Sequence, residues 1–180
     1  MKIKTARLIL RPFQPQDAQA LFELNSDPDV MRYTGDRPFV DAAEASDFIN
    51  QYRETEDPGF GRMAVTNAQD GEFMGFCGLK RDAKTREIDL GFRFFRRHWA
   101  KGIATEAAAA SLDAGFSRLG LSEITGRAMR ENLASITVLQ KLGMRFKEIS
   151  ESAGLIWLVY SISAQEYSGQ SRPDRDPRAR

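Results

Sequence analysis

The chain of 180 residues contains a single cysteine, Cys77, and a single histidine, His98. One thiol cannot form an internal disulfide, which is the usual condition of proteins in a reducing compartment, so we expect a cytoplasmic protein. One Cys and one His cannot build a zinc site, and we expect no bound metal. The net charge of +1 at pH 7 gives no general attraction to nucleic acid. These shortages favour a protein that acts on small ligands.

Long apolar runs are also missing. No stretch approaches the ~20 apolar residues that a membrane helix needs. The first residues, MKIKTARLILRPF, lack the uninterrupted apolar region of a secretory signal, so we expect no membrane partner. The length suits one domain, which we place at residues 1–167. The remaining SGQSRPDRDPRAR is too poor in apolar residues to order itself, and we expect residues 168–180 to be a disordered tail.

The hydrophobic period switches repeatedly between that of strands and that of helices, which predicts a mixed sheet. Two short turns join three successive strands into an antiparallel meander. The last of these strands, a helix and the next strand form a β-α-β unit, whose two strands should be parallel. The predicted strands are 7–13, 62–67, 72–82, 86–95, 123–129, 144–150 and 155–163, and the predicted helices are 15–25, 41–54, 103–119 and 133–142.

Gly102 stands directly before the alanine-rich helix 103–119, and Ala104 stands in the first turn of that helix. The first turn of a helix has N–H groups without partners and a partial positive charge, so a glycine-bearing turn there can seat a phosphate. A glycine in this position can equally serve only to make the turn. The patterns GxxxxGK[ST] and GxGxxG are both absent, which argues against an ordinary nucleotide triphosphate or dinucleotide site.

The segment WAKGIATEA, residues 99–107, resembles the loop W-G-x-G-x-A-x-E-A of the ribosomal-protein N-terminal acetyltransferases of the RimJ and RimL type, a branch of the GNAT superfamily of acetyl-CoA-dependent N-acyltransferases. Ala100 replaces the first glycine of that loop, and Trp99 replaces the Gln or Arg of the general superfamily pattern. Three further segments resemble the branch in the same order, so that the similarity covers about residues 5–163: TARLILRPFQPQDAQALFELNSDPDVMRY, FMGFCGL and ENLASITVLQKLGM.

This resemblance implies an α/β domain of three layers. Its central sheet is mixed, mostly antiparallel and twisted, is splayed between the fourth and fifth strands, and carries helices on both faces. The pantetheine arm of acetyl-CoA is expected beside the backbone of Phe92 and Phe94. Asn132 and Ser135 match positions near the pantetheine and the thioester, although Ser135 is alternatively the cap of a helix Ser135–Leu142. The diphosphate is expected on the amides of Ala100, Lys101, Gly102, Ile103 and Ala104.

The reaction implied is direct transfer of the acetyl group to a primary amine, with an N-terminal α-amine of a protein or peptide as the expected acceptor. Asp89 matches the position of a glutamate in the branch and is the expected base; alternatively, Asp89 and Glu87 are a solvent-facing carboxylate pair. Leu139 stands where many superfamily members carry a tyrosine that acts as the general acid. The proton for the leaving thiolate would then come from Ser135, from another tyrosine or from water.

Two other functions stay open at this point. One is the same chemistry on a polyamine, an amino acid or an antibiotic amine, and the other is a non-catalytic acyl-CoA-binding module. The oligomeric state is expected to be a monomer or a homodimer. Cys77 and His98 are expected to be packing residues rather than catalytic groups. Three aromatic residues are expected either to line the acceptor pocket or to belong to the core, namely Tyr33, Phe39 and Trp157.

Overall fold

The computed structural model describes residues 1–55, 60–82 and 85–169. Within these ranges eight strands form one sheet in the order β1-β2-β3-β4-β5-β6-β8-β7. The strands are β1 (Ile3–Lys4), β2 (Leu8–Arg11), β3 (Gly61–Asn67), β4 (Phe73–Arg81), β5 (Ile88–Phe94), β6 (Glu123–Met129), β7 (Arg145–Ser152) and β8 (Leu155–Ser163). All neighbouring pairs are antiparallel except β5 and β6, which are parallel. The predicted mixed sheet with one β-α-β unit is confirmed.

The helices are α1 (Ala18–Ser26), α2 (Pro28–Met31), α3 (Ala42–Thr55), α4 (Ile103–Ser117), α5 (Leu133–Lys141) and α6 (Ala164–Ser168), and none of the described helices is long and apolar enough to cross a membrane. Asp41 caps α3, since its Oδ1 accepts a hydrogen bond from the Glu44 N–H at 2.9 Å. The predicted tail begins at Ser168, the last residue of α6, and its residues 170–180 lie outside the described residues. Residues 83–84 of the predicted turn between β4 and β5 also lie outside them.

Helices cover both faces of the sheet, and each face has its own buried cluster. On one face α1 and α3 pack with the sheet around Leu21, Leu24 and Ile49. On the other, α4 and α5 pack around a larger cluster that includes Leu112 and Leu139. This arrangement confirms the predicted fold class with helices on both faces.

The alanine content of α4 is explained by how closely this helix approaches the sheet. Ala107, Ala108 and Ala114 are buried against the larger cluster. A Cβ added at Gly115 would lie 2.6 Å from Leu79 Cδ1 and 2.8 Å from Ile124 Cδ1, which is closer than real Cβ atoms come. Small side chains along this face therefore let α4 lie directly on β4 and β6, and they fix the position of its N-terminus relative to the end of β5.

Candidate functional site

The parallel strands β5 and β6 separate soon after they pair. Their register contains only Asp89↔Thr125 and Leu90↔Gly126. Beyond these pairs, β5 continues to Phe94 along β4, and β6 continues to Met129 along β8. An opening in the sheet therefore begins after Leu90 and widens toward the C-terminal ends of both strands. It lies between the fourth and fifth predicted strands, where the sheet was expected to be splayed.

Phe92 and Phe94 direct their main-chain polar groups into this opening. The Phe95 N–H donates to Met74 O on the β4 side at 3.1 Å, and the β4–β5 register is unbroken. Residues of an antiparallel ladder alternate between bonding the neighbouring strand and facing away from it, so Arg93 bonds to β4 while Phe92 and Phe94 face away. The Trp99 indole Nε1–H donates to Phe94 O at 2.8 Å. The Phe94 N–H and both polar groups of Phe92 remain facing the opening.

The segment after β5 brings a row of amides to the mouth of α4. Gly102 is the N-cap of the helix with φ +75°, and the first N–H to bond back is that of Glu106, which donates to Gly102 O at 3.0 Å. The N–H groups of residues 102–105 are therefore the four that a helix leaves without internal partners. Ile103 is buried and anchors this turn, whereas Lys101 is exposed. The geometry is that of an anion-binding helix terminus.

Ala100, which stands in the place of a loop glycine, also has a left-handed backbone with φ +57°. Such a conformation costs a residue with a Cβ about 1–2 kcal/mol relative to the right-handed form. The neighbouring Trp99–Phe94 hydrogen bond fixes one end of the loop and α4 fixes the other. The loop therefore keeps its glycine-like path without the glycine.

Asn132 and Ser135 lie at the start of α5, which follows β6. Asn132 is the N-cap, and its Oδ1 accepts the hydrogen bond donated by the Ser135 N–H at 3.1 Å. The alternative prediction that Ser135 caps a helix Ser135–Leu142 is therefore wrong, because asparagine three residues earlier already satisfies that amide and α5 begins at Leu133. The half-buried Ser135 hydroxyl makes no hydrogen bond to any described residue.

Asp89 carries an ion pair that the sequence did not reveal. Its Oδ2 accepts from Arg62 Nη2 at 2.5 Å, and Arg62 Nη1 donates to the carbonyls of Asp89 and Gly78 at 2.7 and 2.6 Å. The Asp89 side chain is 26% exposed, so it is not the fully solvated carboxylate of the alternative prediction. Glu87 has a separate partner, since Arg127 Nη2 donates to its Oε2 at 2.7 Å.

Two glycines lie beside Arg62, and one of them makes room for its guanidinium. Gly78 and Gly91 are directly opposite each other in the β4–β5 register. A Cβ at Gly91 would lie 2.3 Å from Arg62 Nη2, so the guanidinium occupies the space where that side chain would be. A glycine inside the predicted strand 86–95 indicates that a neighbouring group approaches closely, but not that this group is Arg62.

Residues 7–145 match the family model described as the acetyltransferase (GNAT) domain. The chain belongs to the GNAT acetyltransferases. It is accordingly an acetyl-CoA-dependent N-acetyltransferase, as its resemblance in sequence implied. It is 31% identical over 173 residues to an uncharacterized N-acetyltransferase, p20, of Bacillus licheniformis, a match that covers 92% of this chain and 97% of the relative.

Solved structures share the fold of this acetyltransferase. A GNAT-family acetyltransferase from Bacillus anthracis has a TM-score of 0.80 at 27% identity, covering 92% of this chain and 99% of that one. Mycobacterium smegmatis RimJ in complex with CoA-disulfide gives 0.76 at 22% identity, with coverages of 91% and 85%. Spermidine N-acetyltransferase from Vibrio cholerae in complex with CoA and spermine gives 0.77 at 20% identity, with coverages of 91% and 99%. At these last two identities the likeness concerns the fold alone.

In this GNAT domain the segment after α2 crosses the opening on the face that α1 and α3 cover. The Asp36 carboxylate accepts from Arg93 Nη2 on β5 at 2.6 Å. A Cβ at Gly35 would lie 3.1 Å from Trp157 Cζ2 on β8, so the segment also touches the far side of the opening. Phe39, in contrast, packs on Phe48 with ring centroids 5.5 Å apart and belongs to the α3 cluster.

Arg93 holds this crossing segment from a largely buried position. Its Nη1 donates to Asn25 Oδ1 at 2.5 Å, and its guanidinium lies 5.3 Å from the centroid of the Phe76 ring. Burial lowers the pKa of Arg93, and the ion pair with Asp36 opposes this effect. This side of the opening is therefore built on β5, β8 and residues 35–36, and the half-buried Tyr33 stands two residues before Gly35.

His98 lies in the turn Arg96–His98, between β5 and the loop. Its buried Nε2 is 3.3 Å from Glu72 Oε1, but the angles are not those of a hydrogen bond, so this nitrogen has no hydrogen-bond partner among the described residues. Burial lowers its pKa, more than the nearby Glu72 carboxylate raises it. His98 therefore packs against the β3–β4 turn.

The Cys77 thiol is completely buried, and burial raises its pKa to about 11. Its Sγ lies 3.5 Å from Ser111 Oγ under α4. A thiol in this state is not a nucleophile at neutral pH. Among residues 1–55, 60–82 and 85–169, no group of three or more His, Cys, Asp or Glu side chains is arranged to hold a metal ion.

We expect Cys77→Ala to keep most of the turnover of the parent enzyme, because direct transfer uses no acyl-cysteine. The substitution should lower the free energy of unfolding by about 1 kcal/mol, since it removes one buried heavy atom. Steady-state rates measured below the melting temperature of both proteins check this. An acetylated enzyme trapped by mass spectrometry, or a thousandfold loss of turnover, would contradict direct transfer.

Proposed function

We propose that this GNAT acetyltransferase moves the acetyl group of acetyl-CoA directly to the α-amine at the N-terminus of a protein or peptide. The observation that carries the proposal is the opening between β5 and β6, whose unpaired main-chain groups at Phe92 and Phe94 lead into the amides of residues 102–105. A pantetheine arm can add to the free edge of β5 as a further strand would. The diphosphate would then rest on the amides at residues 100–104.

In the proposed reaction the neutral amine attacks the thioester carbonyl, and the CoA thiolate leaves with the electron pair of the C–S bond. The Phe94 N–H faces the opening and is positioned to stabilise the oxyanion that forms, as preorganised donors do in acyl transfer. Asn132 and Ser135 approach from the β6 side, where the Ser135 hydroxyl is free to hydrogen-bond the thioester or to protonate the thiolate. No covalent enzyme intermediate is required.

The acceptor arrives as an ammonium and would lose its proton to Asp89 before the neutral amine attacks. Asp89 stands five residues before Phe94, whose N–H would hold the oxyanion, which is about 16 Å along an extended strand, so a chain of water molecules must connect the amine to the carboxylate. Arg62 occupies Oδ2, which leaves Oδ1 for the first water of that chain. An α-amine has an ordinary pKa near ~7.7–8.0, against ~10.4 for lysine, so a weak base suffices for an N-terminal acceptor.

The charges beside the opening favour a monoamine over a polyamine. The carboxylates of Asp36 and Asp89 are both paired with arginines, Arg93 and Arg62. A polyamine carries several ammonium groups, and each one that is taken out of water needs a carboxylate of its own. Polyamine acetylation nevertheless remains the second candidate, because the spermidine N-acetyltransferase of Vibrio cholerae shares this fold.

The experiment is a release assay for the CoA thiol with acetyl-CoA and a panel of amines. Peptides with a free N-terminus should support turnover, and the same peptides blocked at the N-terminus but carrying a lysine should not. Fragmentation of the product by mass spectrometry locates the acetyl group. A larger kcat/KM for spermidine than for any peptide would contradict the proposed acceptor. CoA binding without thiol release for any amine would instead indicate a non-catalytic acyl-CoA-binding module.

A further inference from the structure

Arg7, which directly precedes β2, reaches the loop between β5 and α4, although β2 lies three strands away from β5 in the sheet. Its Nη1 donates to Lys101 O at 3.0 Å. Its Nε donates to Glu106 Oε2 at 2.6 Å, and its own main-chain N–H donates to Glu106 Oε1 at 3.0 Å. One side chain thus holds both the carbonyl before the N-cap of α4 and the carboxylate in the first turn of that helix.

Glu106 is fixed independently of the Arg7 guanidinium. The Thr5 hydroxyl donates to Glu106 Oε1 at 2.6 Å. Burial raises the pKa of Glu106, but the hydrogen bonds from Thr5 and Arg7 outweigh this and hold the pKa below its ordinary value. The carboxylate is therefore charged at neutral pH and anchors Arg7 in the orientation that reaches Lys101.

The hydrogen bond to Lys101 O determines the direction of the next amide. None of the described peptide bonds is cis, and in a planar trans peptide the C=O and the following N–H point in opposite directions. With Lys101 O turned toward Arg7, the Gly102 N–H must turn away from it. A Cβ at Gly102 would lie 3.5 Å from Arg7 Nη2, which shows that the guanidinium lies beside this peptide.

We propose that Arg7 is a positioning residue for the CoA diphosphate, holding the Lys101–Gly102 peptide so that the Gly102 N–H faces the ligand. The inference rests on the proposed function, because it assumes that the diphosphate binds at this loop. Arg7 acts through the main chain and contributes little through its charge, since Glu106 compensates that charge. The Arg7 guanidinium donates to Glu106 and to Lys101 O at the same time through two of its rigidly spaced N–H groups. A lysine ammonium on its flexible stem does not supply this geometry.

The test compares two acetyl donors in the Arg7→Gln and Arg7→Lys variants. S-acetylpantetheine has the thioester and the pantetheine arm of acetyl-CoA but no diphosphate. Arg7→Gln should lower kcat/KM for acetyl-CoA about fivefold, the effect of one well-placed hydrogen bond, and leave kcat/KM for S-acetylpantetheine unchanged. Arg7→Lys should behave like Arg7→Gln. Calorimetry with CoA should show the same fivefold loss of affinity in both variants.

Arg11→Gln is the matched control, since Arg11 stands four residues further on and makes a bidentate ion pair with Asp17 at 2.7 and 2.8 Å. It should change neither donor's kcat/KM in folded protein. Equal losses with both donors in Arg7→Gln, full rescue by Arg7→Lys, or unchanged CoA affinity would each overturn the role of Arg7. Failure of the parent enzyme to use or bind acetyl-CoA would overturn the proposed function instead.

Discussion

Gly102→Val is expected to weaken CoA binding at least tenfold, about 1.4 kcal/mol, while the protein stays folded. Gly102 has φ +75°, where a β-branched residue is strained, and the space around a Cβ is open except for Arg7 Nη2 at 3.5 Å. The change therefore acts in two ways. It shifts the backbone that carries the amides of residues 102–105, and it places a branched side chain where a diphosphate must approach them. Isothermal titration calorimetry with CoA measures the affinity.

The matched control for this variant is Gly120→Val. Gly120 follows the other end of α4, also has a positive φ of +63°, and has no atom within 4 Å of an added Cβ. Both substitutions should lower the free energy of unfolding by a similar ~1–2 kcal/mol of backbone strain. Only Gly102→Val should lose CoA affinity. Equal affinities in the two folded variants would contradict the proposal that the diphosphate binds at the loop.

The fold was predictable because its longer elements have clear hydrophobic periods and short turns separate its strands. The strand pairs of the meander and the parallel pair of the β-α-β unit are as predicted. Three short elements were missed: β1, α2 and α6. They contain two, four and five residues, which is too few for either period to show. The predicted helix 103–119 ends earlier, at Ser117.

The loop could be located from the sequence, because the nine residues WAKGIATEA contain both a turn and the start of a helix. The structure also explains the tryptophan at the start of this loop. The Trp99 indole N–H donates to Phe94 O and joins the loop to the end of β5. The roles of Arg7 and Arg62 were not predictable. Their partners Glu106 and Asp89 are 99 and 27 residues away, and only the sheet brings them together.

The pairing of Asp89 with Arg62 sharpens the test of its role as a base. Asp89→Asn keeps the shape of the side chain and one oxygen that can accept from Arg62, and it leaves the loop of residues 99–104 untouched. CoA affinity should therefore be retained. Turnover at neutral pH should fall by ~10²–10⁴-fold if the carboxylate accepts the ammonium proton through water. Steady-state kinetics with acetyl-CoA and a peptide acceptor measure the loss.

Arg62→Gln distinguishes the role of Asp89 as a base from the role of the Asp89–Arg62 ion pair in maintaining the shape of the site. It removes the guanidinium that pairs with Asp89, together with its hydrogen bonds to the carbonyls of Asp89 and Gly78, but it leaves the Asp89 carboxylate in place. We expect Arg62→Gln to keep most of the turnover. Equal losses of turnover in the two variants would show that the ion pair matters only for the shape of the site.

The dependence on pH distinguishes a lost base from a damaged site. A damaged site lowers the rate by the same factor at every pH. A missing base matters only while the amine arrives as an ammonium, so the deficit of Asp89→Asn should shrink as the pH rises above the ~7.7–8.0 of an α-amine. The comparison requires parent and variant on the same acceptor between about pH 6.5 and 9.5, in the range where both stay folded. If the deficit is the same throughout, Asp89 is not the base, and water accepts the ammonium proton without it.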